Sequence, residues 1–395
     1  MRAPLLWLLG VLLINAAIDW YIYAQIVRRC RDVRRWKRIH LAASALCFLI
    51  LLAAIIMPAR KGADTMLHAK MWCLYGFLTV LFPKIIAVVF DLLASIPRLF
   101  RKKRIKPLTI TGIILAVVTF GAFWWGALIN RFRIQQNDVD IPVRDLPASF
   151  EGYKIAQFSD FHVGTYGSDT TFVSRFVDAV NASKPDVIVF TGDIVNRQSA
   201  EILPFIEVFS RLNAPDGVYA ILGNHDYGDY CYWKSPDDKQ ANMDSLYAAY
   251  NRMGIRLLRN ETAWIHRGNN SLAIIGVENI GDPPFPIYGS LTKAYNNPSD
   301  SCTKVLLTHN PAHWVDSISG QPAINIPLTL SGHTHAMQIC IAGISPSALR
   351  YKTWGGLYTD TCSHNLYVNI GAGEVGLPAR IGATPELTLL HLHRP

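Results

Sequence analysis

The chain has 395 residues, too many for one small domain and enough for a membrane part beside a domain of ordinary size. Half of the residues are hydrophobic and only 17% are charged, a composition that leans towards a membrane protein. The net charge of +9 divides unevenly: residues 1–107 carry +14 and residues 108–395 carry −5, which argues against a domain that grips nucleic acid.

Four hydrophobic stretches open the chain, at about 4–26, 39–58, 71–97 and 108–129, each near the ~20 residues that a spanning helix needs. Seven basic residues lie between Arg28 and Arg38, three between Arg60 and Lys70, and six between Arg98 and Lys106. Short loops rich in Lys and Arg stay cytoplasmic. The two strongest clusters are the first and third loops, so four spans put both termini, and everything after Ile129, outside the cytoplasm. Trp124 and Trp125 suit an interfacial aromatic belt near the end of the fourth stretch. A cleaved signal peptide fits the first stretch less well. Met1-Arg2 is a weak basic start, and the apolar run continues past Asn15-Ala16-Ala17.

Lys84 and Asp91 stand seven apart in the third stretch, on one helical face, either as a functional feature or as a structural pair near Pro83. Of seven cysteines, Cys231, Cys302, Cys340 and Cys362 follow the membrane part. An oxidising compartment permits disulfides among them without defining the pairing, and no CxxC spacing suggests a zinc site.

Residues 130–150 are polar, with Pro142 and Pro147, and are expected to form a linker. Beyond it the pattern alternates. A strand at 153–158 ends in Ser159-Asp160-Phe161-His162, and a helix over about 170–183 places Phe172, Phe176, Val177 and Val180 on one face. A strand at 186–190 ends in Thr191-Gly192-Asp193, and Ile202, Phe205, Ile206, Phe209 and Leu212 mark a second amphipathic helix. The next strand, 218–222, ends in Gly223-Asn224-His225-Asp226. Further strands are expected at 255–258, 272–277, 304–308 (ending at His309), 327–331 (ending in Gly332-His333-Thr334-His335), 366–370 and 387–392. Alternation of strands and helices at these lengths predicts an α/β layered fold.

A lone His or Asp at a strand end is more often a turn former than a ligand. Five such ends in succession, built almost wholly of Asp, His and Asn, match what borderline divalent metals bind. In extended chain the i, i+2 spacing of Asp160/His162 and His333/His335 would point both side chains to one side. Gly192, Gly223 and Gly332 would permit tight turns and close backbone approach.

Asp-x-His, Gly-Asp, Gly-Asn-His-Asp, a lone His and Gly-His-x-His, in this order, resemble the calcineurin-like metallophosphoesterases over about residues 150–395. The tail from Tyr367 through Arg380 to Glu386 resembles a bacterial branch that is often membrane-tethered or exported and includes transmembrane members. The four spans make a multi-pass helical membrane region over 1–129, and the resemblance implies that an α/β (α+β) domain over 151–395 follows, a layered sandwich of mixed β-sheets flanked by helices. It implies two divalent cations (Mn, Fe, Zn or Mg). Asp160, His162 and His335 would hold one and Asn224, His309 and His333 the other, with Asp193 bridging. His225 would protonate the leaving oxygen and Asp226 would orient its ring. Ala336-Met337 stand where members often have two glycines.

Arg380 is a candidate phosphate contact, with a surface or ion-pair role as the alternative. His266, His313, His364, His391 and His393 fall outside the motifs and are expected to be structural or exposed. The function implied is a membrane-anchored hydrolase of phosphomonoesters, phosphodiesters or pyrophosphates working through metal-activated hydroxide. Its partners are the lipid bilayer and a phosphorylated substrate, either lipid-linked or a soluble extracytoplasmic nucleotide. The non-enzymatic alternative is a membrane sensor or scaffold with a vestigial site, whose mark would be a missing ligand.

Overall fold

The computed structural model describes residues 2–57, 64–281, 286–297 and 300–395; side chains at positions 2–9, 29, 64 and 65 are outside the description. The chain divides into two compact units, residues 1–128 with Gly376–Ala379, and residues 129–375 with 380–395.

The first unit is built from four long helices, α1 (Arg2–Gln25), α2 (Val33–Ile56), α3 (Asp64–Ser95) and α4 (Lys106–Leu128). Among the described residues three helical runs are long and apolar enough to cross a membrane: Val33–Ile56, Met66–Phe100 and Lys106–Phe132. The expected first span, 4–26, coincides with α1, whose opening side chains lie outside the described residues. So do Pro58 at the end of the second span and residues 58–63 of the loop after it. Pro83 sits inside α3 without ending it.

Lys84 and Asp91 do not pair with each other. The Lys84 ammonium meets the Asp19 carboxylate of α1 at 2.7 Å, and Asp19 also accepts from Ser44 of α2. Asp91 takes the Arg104 guanidinium and, at 2.8 Å, the Tyr21 hydroxyl of α1. Each intramembrane charge is thus compensated from another part of the unit, as a low-dielectric interior requires.

The second unit holds two six-stranded sheets. Its strands are β1 (Gln135–Pro142), β2 (Tyr153–Phe158), β3 (Val187–Phe190), β4 (Val218–Ala220), β5 (Arg256–Leu257), β6 (Glu261–Arg267), β7 (Asn270–Gly276), β8 (Thr303–Leu307), β9 (Leu328–Ser331), β10 (Gly356–Thr359), β11 (Asn365–Val368) and β12 (Glu386–His393). The orders are β1-β12-β2-β3-β4-β5 and β10-β11-β9-β8-β7-β6, both mixed. Parallel β2-β3-β4 carry an antiparallel β12, and parallel β7-β8-β9-β11 are flanked by antiparallel β6 and β10.

The inner faces of the two sheets meet in one core that includes Ile155, Val187, Val189, Ile274, Val305 and Leu330. The outer face of the first sheet is covered by α5 (Thr171–Ala182), α6 (Ile206–Phe209) and α7 (Pro236–Arg252), through Phe158, Phe176, Phe190, Phe209 and Leu246. Two shorter helices around Ala294 and Trp314 cover the second. Helix, sheet, sheet and helix therefore form successive layers.

Residues 130–150 are not a linker. Eight of them form β1, paired in parallel with β12 from Gln135–Glu386 to Pro142–His393. Its Gln and Asp side chains are exposed at a sheet edge, Asn137 is half-buried and donates to Glu386, and only Val139 and Ile141 supply an apolar alternation, too short to announce a strand. The second amphipathic segment also differs from expectation. Ile202, Phe205, Ile206, Phe209 and Leu212 are all buried, but Pro204 makes Ser199–Phe205 a 3₁₀ segment before the single α-turn of α6. All seven cysteines are free thiols.

Candidate metal centre

The five polar motifs follow the C-terminal ends of β2, β3 and β4 in one sheet and β8 and β9 in the other. Parallel strands bring these ends to one edge of the sandwich, where open α/β sheets place their sites.

The ligand atoms of Asp160, His162, Asp193 and His335 all lie within 4.8 Å of one another, and all four residues are buried. His162 Nε2 stands 3.0 Å from His335 Nε2 and 3.5 Å from Asp193 Oδ2, and His335 Nε2 is 3.1 Å from Asp160 Oδ1. The same Asp193 Oδ2 is 3.2 Å from His309 Nε2. Asn224 Oδ1 is 3.1 Å from His309 Nε2 and 2.9 Å from His333 Nδ1. The seven side chains therefore fall into two subsets that share the Asp193 carboxylate.

The i, i+2 pairs do not work as extended chain. Asp160, His162, Asp193, His333 and His335 all have left-handed backbone, with φ of 53°, 47°, 61°, 76° and 50°. Each strand has already turned over when its polar residue appears, so the turn and not the pleat aims the side chain. Such conformations cost about 1–2 kcal/mol each for a residue with a Cβ, and they concentrate at functional sites. Neighbouring glycines permit the crowding. A Cβ on Gly192, itself at φ 98°, would lie 2.5 Å from the Gly223 nitrogen and 2.8 Å from His309 Nδ1, while one on Gly332 would overlap Ser159 Oγ and Asp160 Oδ2.

Asp226 does not orient His225. Its carboxylate accepts backbone N–H groups from Gly223 (2.9 Å), Asp193 (2.8 Å), Ile194 (3.0 Å) and Val195 (3.2 Å), tying the turn after β3 to the turn after β4. The His225 ring is held instead through Nδ1, 2.7 Å from the Asn196 carbonyl oxygen, and by stacking on Tyr230 at 4.2 Å. With Nδ1–H donating to that carbonyl, Nε2 is the free nitrogen. The His225 backbone N–H donates to Asp193 Oδ1 at 2.8 Å.

The electrostatics are those of a cation site. Burial alone would raise the Asp160 carboxyl, yet His335 and His309 hold it below its ordinary range. Burial also opposes Asp193, but His309, His225 and His162 keep its carboxyl well below the usual value. Burial pushes His309 down, and the Asp193 and Asp160 carboxylates overcome it and lift the ring to about 10. Burial lowers His162 well below its usual value, against Asp193, and lowers His333 to about 4 with help from His309. Burial and the Asp193 charge push Asp226 up to about 7 against its N–H donors. Two buried carboxylates beside imidazole nitrogens 3.0 Å apart form a donor set that fits divalent cations.

Three further side chains reach this cluster. The Tyr351 hydroxyl is 3.0 Å from His333 Nε2, and the Tyr230 hydroxyl accepts from Asn224 Nδ2 at 2.9 Å. Neither tyrosine belongs to a spaced motif, so nothing in the sequence marks it. Arg380 is fully buried and is neither a phosphate contact nor a surface residue. Its guanidinium donates to the carbonyls of Gly373 (2.7 Å), Ala383 (3.0 Å) and Ile370 (3.0 Å), and Nη2 lies 3.4 Å from His335 Nδ1. His313 and His364 are buried and hydrogen-bonded, to Thr308 Oγ1 and to Asp360 and the Ile324 carbonyl.

With this geometry in place, relatives can be compared. The profile "Calcineurin-like phosphoesterase" matches residues 153–337, and "Probable Calcineurin-like phosphoesterase, transmembrane domain" matches residues 1–131. An uncharacterized metallophosphoesterase of Bacillus subtilis, YkuE, is 30% identical over 289 residues, covering 70% of this chain and 92% of its own. A transmembrane protein with metallophosphoesterase domain from Danio rerio is 30% identical over 258 residues, covering 64% of this chain and 55% of its own. An uncharacterized metallophosphoesterase of Campylobacter jejuni, 26% identical, aligns over 97% of this chain and 96% of its own. The chain belongs to the calcineurin-like metallophosphoesterases. It is a phosphoesterase of the membrane-associated kind, with its helical region ahead of the hydrolase domain.

The turn after the last motif also has left-handed backbone, which suits the glycine pair that the family resemblance leads one to expect there. Ala336 and Met337 have φ of 50° and 45°, where glycine carries no steric cost. Met337 is about half exposed, so Met337→Gly removes little packing. It is expected to stabilise the full-length protein by up to about 1 kcal/mol, read as a rise in Tm. A lowered Tm contradicts the strain assigned to this turn.

Proposed function

We propose that the protein is a dinuclear phosphoesterase whose hydrolase domain lies outside the cytoplasm. Asp160, His162 and His335 hold one divalent cation and Asn224, His309 and His333 a second, with the Asp193 carboxylate shared. The observation that carries this reading is Asp193 itself, buried with His162 and His309 both facing one oxygen of its carboxylate. Divalent cations bound there supply charge neutralisation for phosphoryl oxygens and activation of water for in-line attack.

The rest of the chemistry belongs to the chain. His225 is half-buried beside the cluster, its ring edge-on to His162 with centroids 4.8 Å apart. Held at Nδ1 by the Asn196 carbonyl, the ring in its imidazolium form presents Nε2–H to the oxygen that leaves phosphorus, gives up that proton and is left as the neutral Nδ1–H tautomer. Tyr230 fixes the plane of that ring by stacking. Tyr351, at His333 Nε2, steadies that imidazole from outside the cluster. The substrate class is a phosphomonoester, phosphodiester or pyrophosphate.

Full-length protein with manganese is expected to hydrolyse a chromogenic phosphodiester. His225→Ala should lower kcat by roughly 10²–10⁴-fold. Asp193→Asn should reduce turnover at least as far. Wild-type rates no higher than those of the two variants would remove the enzyme reading.

Placement outside the cytoplasm rests on the basic loops at 28–38 and 98–106, which four spans keep on the cytoplasmic side. A compartment-sensitive reporter fused after Pro395 is therefore expected to be active only outside the cytoplasm. Cytoplasmic activity would overturn the four-span topology.

A further inference from the structure

Residues 339–354 leave the metal cluster as a loop with an unusual division between its two sides. Its inner side is fastened to the turn that carries His333 and His335. Ser345 Oγ donates to the Ala336 carbonyl at 2.6 Å, Ser347 Oγ to the Thr334 carbonyl at 3.4 Å, and Thr334 Oγ1 to the Trp354 carbonyl at 2.5 Å. The Cys340 N–H donates to the Ile381 carbonyl at 2.9 Å, and Tyr351 reaches His333. Ser345 and Ser347 are buried.

The outer side is apolar. A two-residue turn through Ala342 and Gly343, both at positive φ, pairs Ile341 with Ile344 through reciprocal backbone bonds of 2.9 and 3.0 Å. Directly opposed residues of such a pair point to the same side. Ile341 is 63% exposed, Ile344 75% and Leu349 94%. Water does not favour three large aliphatic side chains held out by a firmly anchored loop, and exposed apolar groups of this kind mark an interaction surface.

The neighbouring residues say which partner fits. Arg350 and Lys352 are exposed, Tyr351 and Trp354 stand beside them, and residues 336–359 contain no Asp or Glu. Aliphatic tips with cationic and aromatic neighbours are the composition of segments that lie in the head-group region of an anionic bilayer. A bilayer is also within reach of this unit. Only residues 129–134 separate α4 from β1, and Asn130–Phe132 among them form a 3₁₀ turn, so the connection is shorter than the roughly 20 Å of full extension.

We propose that residues 339–354 are a membrane-contacting loop that seats Ile341, Ile344 and Leu349 in the head-group region of an anionic bilayer, beside the metal cluster. This surface depends on the membrane embedding of the N-terminal helices and not on the chemistry assigned to the cluster. Its test is correspondingly independent of activity.

Wild-type full-length protein is reconstituted in nanodiscs of phosphatidylcholine and phosphatidylglycerol containing a lipid with a diazirine near the head-group end of its acyl chain. After illumination, adducts are mapped by mass spectrometry, with α2 and α4 as internal positive controls. The turn between β6 and β7 is the negative control, because it joins β7 at the sheet edge opposite the site. Adducts are expected on 339–350 but not on that turn. Ile344→Asp and Leu349→Asp together should lower their yield about threefold or more. Adducts on α2 and α4 with none on 339–350 would overturn the proposal. So would an unchanged yield in the double variant.

Discussion

Everything at the catalytic edge of the sandwich is arranged around the Asp193 carboxylate. It is buried, yet one oxygen faces His162 and His309 and the other accepts the His225 backbone N–H at 2.8 Å. A buried, ionised carboxylate is tolerated only with compensating charge and hydrogen bonds. Here the compensation comes from both sheets, because His162 follows a strand of the first and His309 a strand of the second. That one carboxylate therefore requires the two sheets to present their C-terminal ends together, which gives the layered architecture a functional reason as well as an energetic one.

Holding that arrangement has a structural cost, and the chain meets it locally. Five of the clustered residues sit in left-handed backbone, and the turns come so close that Gly192 and Gly332 have no room for a side chain. Asp226 offsets part of this by accepting four backbone N–H groups from the turns after β3 and β4. Arg380 does the same for the far wall, fixing the carbonyls of Ile370, Gly373 and Ala383 while lying against His335. Both residues are ionisable, buried and close to the cluster, and both act on the backbone that aims it.

Much of this was legible in the sequence because the central strands are continuous or alternating apolar runs that stop at polar motifs. β2, β3, β4, β8 and β9 and the polar residues after them stand out for that reason. Of the four edge strands only β5, expected at 255–258, was legible. β1, β6 and β10 alternate between inward and exposed positions without a continuous apolar run, and β1 carries mostly Gln, Asn and Asp, so the apolar signal that marks the central strands is weak in them. Spacing also misled at short range. Asp-x-His suggests two side chains on one face of an extended strand, whereas the turn has already reversed the chain. The tie between Asp226 and the backbone of Asp193–Val195, and the approach of Tyr351 to His333, join residues that are distant in sequence. No local pattern encodes either contact.

The central claim is that one carboxylate is shared by two cation subsets, and counting ions tests it most directly. Manganese bound per chain can be measured by elemental analysis of purified, full-length protein after equilibrium dialysis, for wild type and for Asp193→Asn. The account predicts two ions per chain in the wild type and at most one in the variant. A single ion in the wild type, or a count unchanged by Asp193→Asn, would contradict it.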